Sequence, residues 1–300
     1  MLETRIDRAV EQVGPLASEE IAKALLEAIR SGDDVMLNVA KNELIARGRR
    51  GDDAAVQAIR SALAEAAPKL HAYLVGIIGE IATVGAVQSL LDILDGSTGQ
   101  NTPVRYAALE AIGNIGRYRE QNVPPEALSS PLESYFDTVA ITDPDLLGAV
   151  ARALSTVGTA EGVEKLLRFI EVRGDNWPKA VEQVQTALLQ VRNPEAVAPL
   201  QTRLQQDTEL RYTSARIAGE SLAAMGDRHA TEALLQWAAQ VTGKAQIEQA
   251  LAWLSEVRDQ ESLNLLLDAH ERIRFHDPAM REGISALAEQ IEKQSTPQRM

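Results

Sequence analysis

The 300-residue chain contains no cysteine, so disulfides, thiolate nucleophiles and thiolate metal sites are excluded. Aromatic residues make up only 4% of a chain that is 45% hydrophobic. Its core must therefore be built from Ala, Leu, Val and Ile, which is a helical composition rather than that of a mixed sheet. Uninterrupted apolar runs of about 18 residues are missing, and the opening MLETRIDRAVEQVG is charged throughout. The expectation is a soluble, cytoplasmic protein with no membrane partner. Basic residues are in deficit, 30 against 43 acidic, for a net charge of -13, which disfavours nucleic acid as a partner. The four histidines, His71, His229, His270 and His276, are scattered, and the closest two do not share a helical face. No metal or cofactor is expected. P-loop, dinucleotide-fingerprint, HExxH and nucleophile-elbow patterns are also missing, so the reading leans away from an enzyme.

What is present is a repeated helical pattern, clearest in PVRYAALEAIGNIG, residues 103–116. Val104, Ala108, Leu109, Ile112 and Ile115 fall on one apolar helix face, with Arg105, Glu110 and Asn114 on the other. A glycine inside a helix, Gly113, costs about 1 kcal/mol relative to alanine, which predicts a neighbouring helix pressed close against it. Second helices align with Val56, Val87, Val163, Val197, Thr231 and Leu263 in one column, about one pair apart except for one double interval. First helices align Ile78, Ile112, Leu154, Leu188, Leu222 and Leu254, with a small-residue column at Gly79, Gly113, Ser155, Ala223 and Ser255. Two-helix units at such periods bury their apolar faces only against their neighbours.

The fold expected is all-α, an α-α superhelix of about seven helical pairs forming one domain over residues 1–300. Residues 1–32 form an N-terminal cap, 33–118 and 144–273 the repeats, 274–293 a C-terminal capping helix and 294–300 a tail. Residues 119–143, with Pro124, Pro125 and Pro131, read as an irregular insertion with a short helix near Glu133 to Val139. The basic run Arg47, Gly48, Arg49, Arg50 reads as complementing a helix C-terminus rather than as a phosphate site, and Arg173-Gly174-Asp175 as an inter-repeat loop.

VRYAALEAIGNIG, LLGAVARALSTVGTAEGVEKLLRFI and ARIAGESLAAMGDRHATEALLQW together resemble HEAT-like repeats, in particular the phycobilisome-lyase type, over roughly Asp33 to Ile273. The usual Asp of the inter-helix turn appears at Asp52, Asp227 and Asp259. The resemblance implies a solenoid used as scaffold, chaperone or adaptor, or less often as an enzyme. HEAT-repeat hydroxylases carry a set of His-Glu dyads, whereas this chain has one, His270-Glu271. HEAT-like DNA glycosylases use a basic groove, which the acidic composition does not supply.

In such solenoids the second helices line the concave face. Partner-binding candidates there are Gln88, Asp92, Glu164, Arg168, Gln236 and Asp268, mixed in sign. Residues 51–150 hold 13 acidic and 5 basic residues, and Tyr118, Tyr135 and Phe136 lie in or beside the irregular segment of that acidic third. Long loops in repeat arrays are uncommon unless functional or disordered. Tyr118 to Asp143 is therefore read as contacting a protein partner with a basic patch, the alternative being that its aromatics simply pack it down. The function expected is a non-catalytic scaffold or adaptor. The second reading is a bilin lyase or isomerase-like protein, with a tetrapyrrole in the groove and Arg60, Arg168 and Arg203 receiving its propionates.

Overall fold

The computed structural model describes residues 2–96, 102–118, 123–139, 143–173, 176–257 and 260–295, without the side chains of residues 2, 118, 270 and 291–295. Among the described residues the fold is all-α. Seventeen α-helices and one 3-10 turn follow one another without a strand, and none of these helices is long and apolar enough to cross a membrane. The chain groups into two compact units, Met1–Pro131 and Leu132–Met300, where the sequence alone suggests a single continuous array.

The first unit holds α1 (Leu2–Val13), α2 (Ser18–Ser31), α3 (Asp34–Arg49), α4 (Asp53–Glu65), α5 (Pro68–Ile81), α6 (Val84–Leu94) and α7 (Thr102–Tyr118). From α2 on each helix packs on its sequence neighbour, and helices two apart also pack, α1 on α3, α2 on α4, α3 on α5, α4 on α6 and α5 on α7. Such alternation makes two rows, odd-numbered first helices and even-numbered second helices. The starts follow from the sequence: Asp33 Oδ1 accepts from Val35 N and Met36 N, both at 3.2 Å, and Asp52 Oδ1 from Ala54 N at 3.0 Å, satisfying amide groups that a helix N-terminus leaves open. Arg47, in the basic run, bridges back to the loop between α1 and α2. Its Nη1 donates to Leu16 O at 2.7 Å, Nη2 to Gly14 O at 2.9 Å and Nε to Glu43 at 2.8 Å, so it locks the cap.

The second unit holds α9 (Pro144–Val157), α10 (Ala160–Arg173), α11 (Pro178–Leu188), α12 (Val197–Gln205), α13 (Thr213–Met225), α14 (Arg228–Ala238), α15 (Lys244–Ser255), α16 (Gln260–Arg272) and α17 (Pro278–Ser295), with the 3-10 turn Pro194–Ala196 before α12. The same i to i+2 packing runs from α9 on α11 through α15 on α17. Helix α11 ends at Leu188. Gln190 N and Val191 N bond to Ala187 O and Leu188 O, three residues back, the tighter turn that commonly closes a helix. Gly158 (φ 67°) and Gly226 (φ 62°) turn the chain in the left-handed region at the ends of α9 and α13, where glycine carries no Cβ penalty. Asn193, buried, ties two turns: its Nδ2 donates to Val157 O at 2.8 Å and its Oδ1 accepts from Glu195 N at 3.1 Å.

Helix α8 (Pro125–Thr138) corrects the sequence reading of 119–143. What reads as an irregular insertion is, over its described part, a 14-residue helix. Ser129, Leu132 and Phe136 are buried, at the spacing that Val163, Leu166 and Ile170 keep in α10. Pro131 sits inside α8 and removes one ladder bond, a penalty of about 3 kcal/mol, offset by burial of Leu128, Leu132 and Phe136. Residues 119–122 and 140–142 of that segment, the Gly174-Asp175 part of the RGD tripeptide, Asp259 and the tail from 296 lie outside the described residues.

Candidate functional site

The second helices present polar side chains at their outward positions, and in each unit these are joined across repeats. In the first unit Arg60 on α4 reaches Asp92 on α6, Nη1 to Oδ2 at 2.8 Å, and Gln88 Nε2 donates to the other oxygen of the same carboxylate at 3.1 Å. In the second unit Arg203 on α12 bridges two carboxylates of α10, Glu164 at 3.0 Å and Glu171 at 2.6 Å. Gln201 Nε2 donates to Gln236 Oε1 on α14 at 2.6 Å. Lys165 on α10 pairs with Asp137 on α8 at 2.6 Å. Burial first, then Glu161 and Asp137, raise the carboxyl of neighbouring Glu133 above its ordinary value against the opposing pull of Lys165.

The expected partner-binding residues fall into three groups. Gln88 with Asp92, and Glu164 with Gln236, sit in these cross-repeat links. Arg168 is exposed, and Asp268 is held by Arg272 one turn on, at 3.2 Å. Of the three aromatics Phe136 is core: it is 4% exposed and meets Phe169 edge-on at a ring-centroid distance of 5.3 Å. Tyr135 is partly exposed beside it, and the Tyr118 side chain lies outside the described residues. Two of the three arginines expected to take propionates, Arg60 and Arg203, are bound to carboxylates instead. The arginine positions are filled by the neighbouring repeats' own acids, a pairing that alignment of outward columns does not reveal. Among the described residues no group of three His, Cys, Asp or Glu is placed to hold a metal ion.

A second feature, on the first helices of the first unit, was not singled out from the sequence. A slot of about 390 Å³ opens between α5 and α7, lined by Ala72, Gly76, Gly79, Glu80, Ala82, Ala107, Glu110, Ala111, Asn114 and Ile115, with Arg49 from α3. Its origin is the small-residue column: a Cβ on Gly79 would lie 2.6 Å from the Ala111 Cβ, so the helices touch there, whereas a Cβ on Gly76 would meet nothing within 4 Å. Arg49 Nε donates to Glu80 O at 3.0 Å and Lys41 Nζ pairs with Glu80 Oε1 at 2.7 Å. Burial raises the hydroxyl pKa of nearby Tyr73, with Lys41 lowering it and Glu80 raising it.

No family model matches the chain, and no curated protein matches it. Among solved structures it is similar to human deoxyhypusine hydroxylase, at 18% identity and TM-score 0.36 over 94% of this chain and 99% of that one. It is also similar to two engineered proteins, at 15% identity and TM-score 0.35 over 95% of this chain and 87% of that one, and at 18% and 0.33 over 92% and 96%. Likenesses of this size assign no activity to the chain.

Proposed function

We propose that the chain is a non-catalytic scaffold or adaptor of HEAT-like type that binds another protein, one carrying a basic patch, through the faces of its second helices. The observation that carries this reading is the set of cross-repeat links Arg60–Asp92–Gln88, Arg203–Glu164 and Gln201–Gln236. They hold partly exposed polar groups in fixed places, which lowers the ordering cost when a partner binds. The net charge of -13 favours encounter with a basic surface. A tetrapyrrole would require Arg60 and Arg203 to leave their carboxylates, so the bilin reading has less support.

The test is affinity capture from the source lysate with cross-linking mass spectrometry and an absorption spectrum of the eluate. The expected result is a colourless stoichiometric protein whose cross-links fall on α6, α10 and α14. Gln236→Lys should weaken its binding and Arg168→Glu should strengthen it, both leaving the melting temperature unchanged. Cross-links confined to other surfaces, or a coloured eluate, would overturn the proposal.

A further inference from the structure

We infer that the slot between α5 and α7 takes an arginine side chain presented by a protein partner. The slot lies on first helices, so the inference stands apart from what the second-helix faces bind. Its volume of about 390 Å³ is within the range of built ligand pockets, about 300–1,000 Å³. The wall is made of Ala72, Gly76, Ala107 and Ala111, and the open space over Gly76 admits a chain of methylenes of the kind that long cationic side chains lay along apolar surface.

The polar liners decide the chemistry of the head group. Lys41 pairs with the Glu80 carboxylate, and Arg49 donates to the Glu80 main-chain carbonyl. Glu110 is exposed and, among the described residues, enters no ion pair or hydrogen bond; Asn114, one turn further along α7, is exposed likewise. A carboxylate with an amide one turn away supplies acceptors for a planar fork of N–H donors, the geometry that a guanidinium fills and an ammonium does not. Residues 51–131 of the same unit, with 9 acidic and 5 basic residues, draw a basic peptide towards it.

The test is an amide-shift titration of the full isotope-labelled chain with the acetylated, amidated peptide Ala-Gly-Arg-Gly-Ala, and with the same peptide carrying citrulline, the neutral isostere of arginine. The expected result is saturable shifts confined to the neighbourhood of Gly76, Ala107, Glu110, Ala111 and Asn114 with the arginine peptide and none with the citrulline peptide. Glu110→Gln and Gly76→Leu should each weaken binding by about tenfold or more, and Glu65→Gln, an acid elsewhere in the same third, should not. Because Glu110 is exposed, its variant keeps the fold and so keeps the test intact even where Gly76→Leu disturbs it. Shifts spread over the acidic surface and unchanged in Glu110→Gln, or equal binding of the citrulline peptide, would overturn the inference. Equal affinity for N-acetyl-arginine amide would overturn the protein source and leave a small guanidinium ligand.

Discussion

Arg203 and Glu164 face each other across two repeats, Nη2 to Oε1 at 3.0 Å, with the Arg203 side chain 13% exposed. The other arm of the same guanidinium holds Glu171 at 2.6 Å, so a single side chain of α12 fastens two turns of α10. Arg203→Leu should lower stability by about 1–3 kcal/mol, the range for hydrogen bonds to charged groups, because the two carboxylates regain water but lose their donors. Arg203→Lys should recover less than half of that, since one ammonium does not span both acids. Denaturant midpoints of the three proteins check it, and a lysine variant as stable as the parent would count against the bridging role.

The glycines of α5 offer a sign test on one helix. At Gly79 an added Cβ would come 2.6 Å from the Ala111 Cβ, so Gly79→Ala must push α5 and α7 apart and should cost about 1–3 kcal/mol. At Gly76 the same methyl meets nothing within 4 Å, and Gly76→Ala should stabilise by about 1 kcal/mol through helix propensity alone. Thermal unfolding of the two variants should move in opposite directions.

Those same glycines show how far the sequence carried. Periodicity placed the pairs because one apolar stripe per helix is a local property, visible in Val104, Ala108, Leu109, Ile112 and Ile115. The small-residue column at Gly79 announced close approach, which the contact with Ala111 bears out. Gly76, one turn earlier and outside that column, marks the slot, and nothing in a single sequence separates a glycine under a neighbour from one under open space. Helix α8 was hidden for a different reason. Pro131 breaks the local rule for a helix interior, and only the burial of Leu132 and Phe136 overrides it. The pairing of Arg60 with Asp92 and of Arg203 with Glu164 was likewise out of reach, because two outward positions in different repeats share no sequence signal until the repeats are stacked.

Phe136 is the test of α8 as a structural element. It is 4% exposed and packs edge-on against Phe169, so Phe136→Ala should cost about 3–5 kcal/mol. A double-mutant cycle with Phe169→Ala should return a coupling of about 0.5–1.5 kcal/mol. Tyr135→Ala, next to it but partly exposed, should cost clearly less. Equal losses at 135 and 136 in chemical denaturation would show that the face of α8 is assigned the wrong way round.

Glu133, one turn before Phe136, gives the helix a pH dependence whose sign follows from its surroundings. Burial, with Glu161 and Asp137 adding to it, raises its carboxyl above the ordinary value while Lys165 pulls it down. A carboxyl raised in the folded state holds its proton more tightly there than in the unfolded chain, so folding is favoured at low pH. That advantage is lost as pH rises from the ordinary glutamate range, about 4.3, through the raised folded value. Above that window the native state carries an ionised Glu133 in an environment less favourable than water. Glu133→Gln should therefore be relatively less stable, or neutral, near pH 4 and relatively more stable at pH 7. The difference in melting temperature between variant and parent should grow across the window and then level off. A difference that shrinks with rising pH would mean that Lys165 outweighs burial and the neighbouring acids, reversing the balance of charges around α8 and α10.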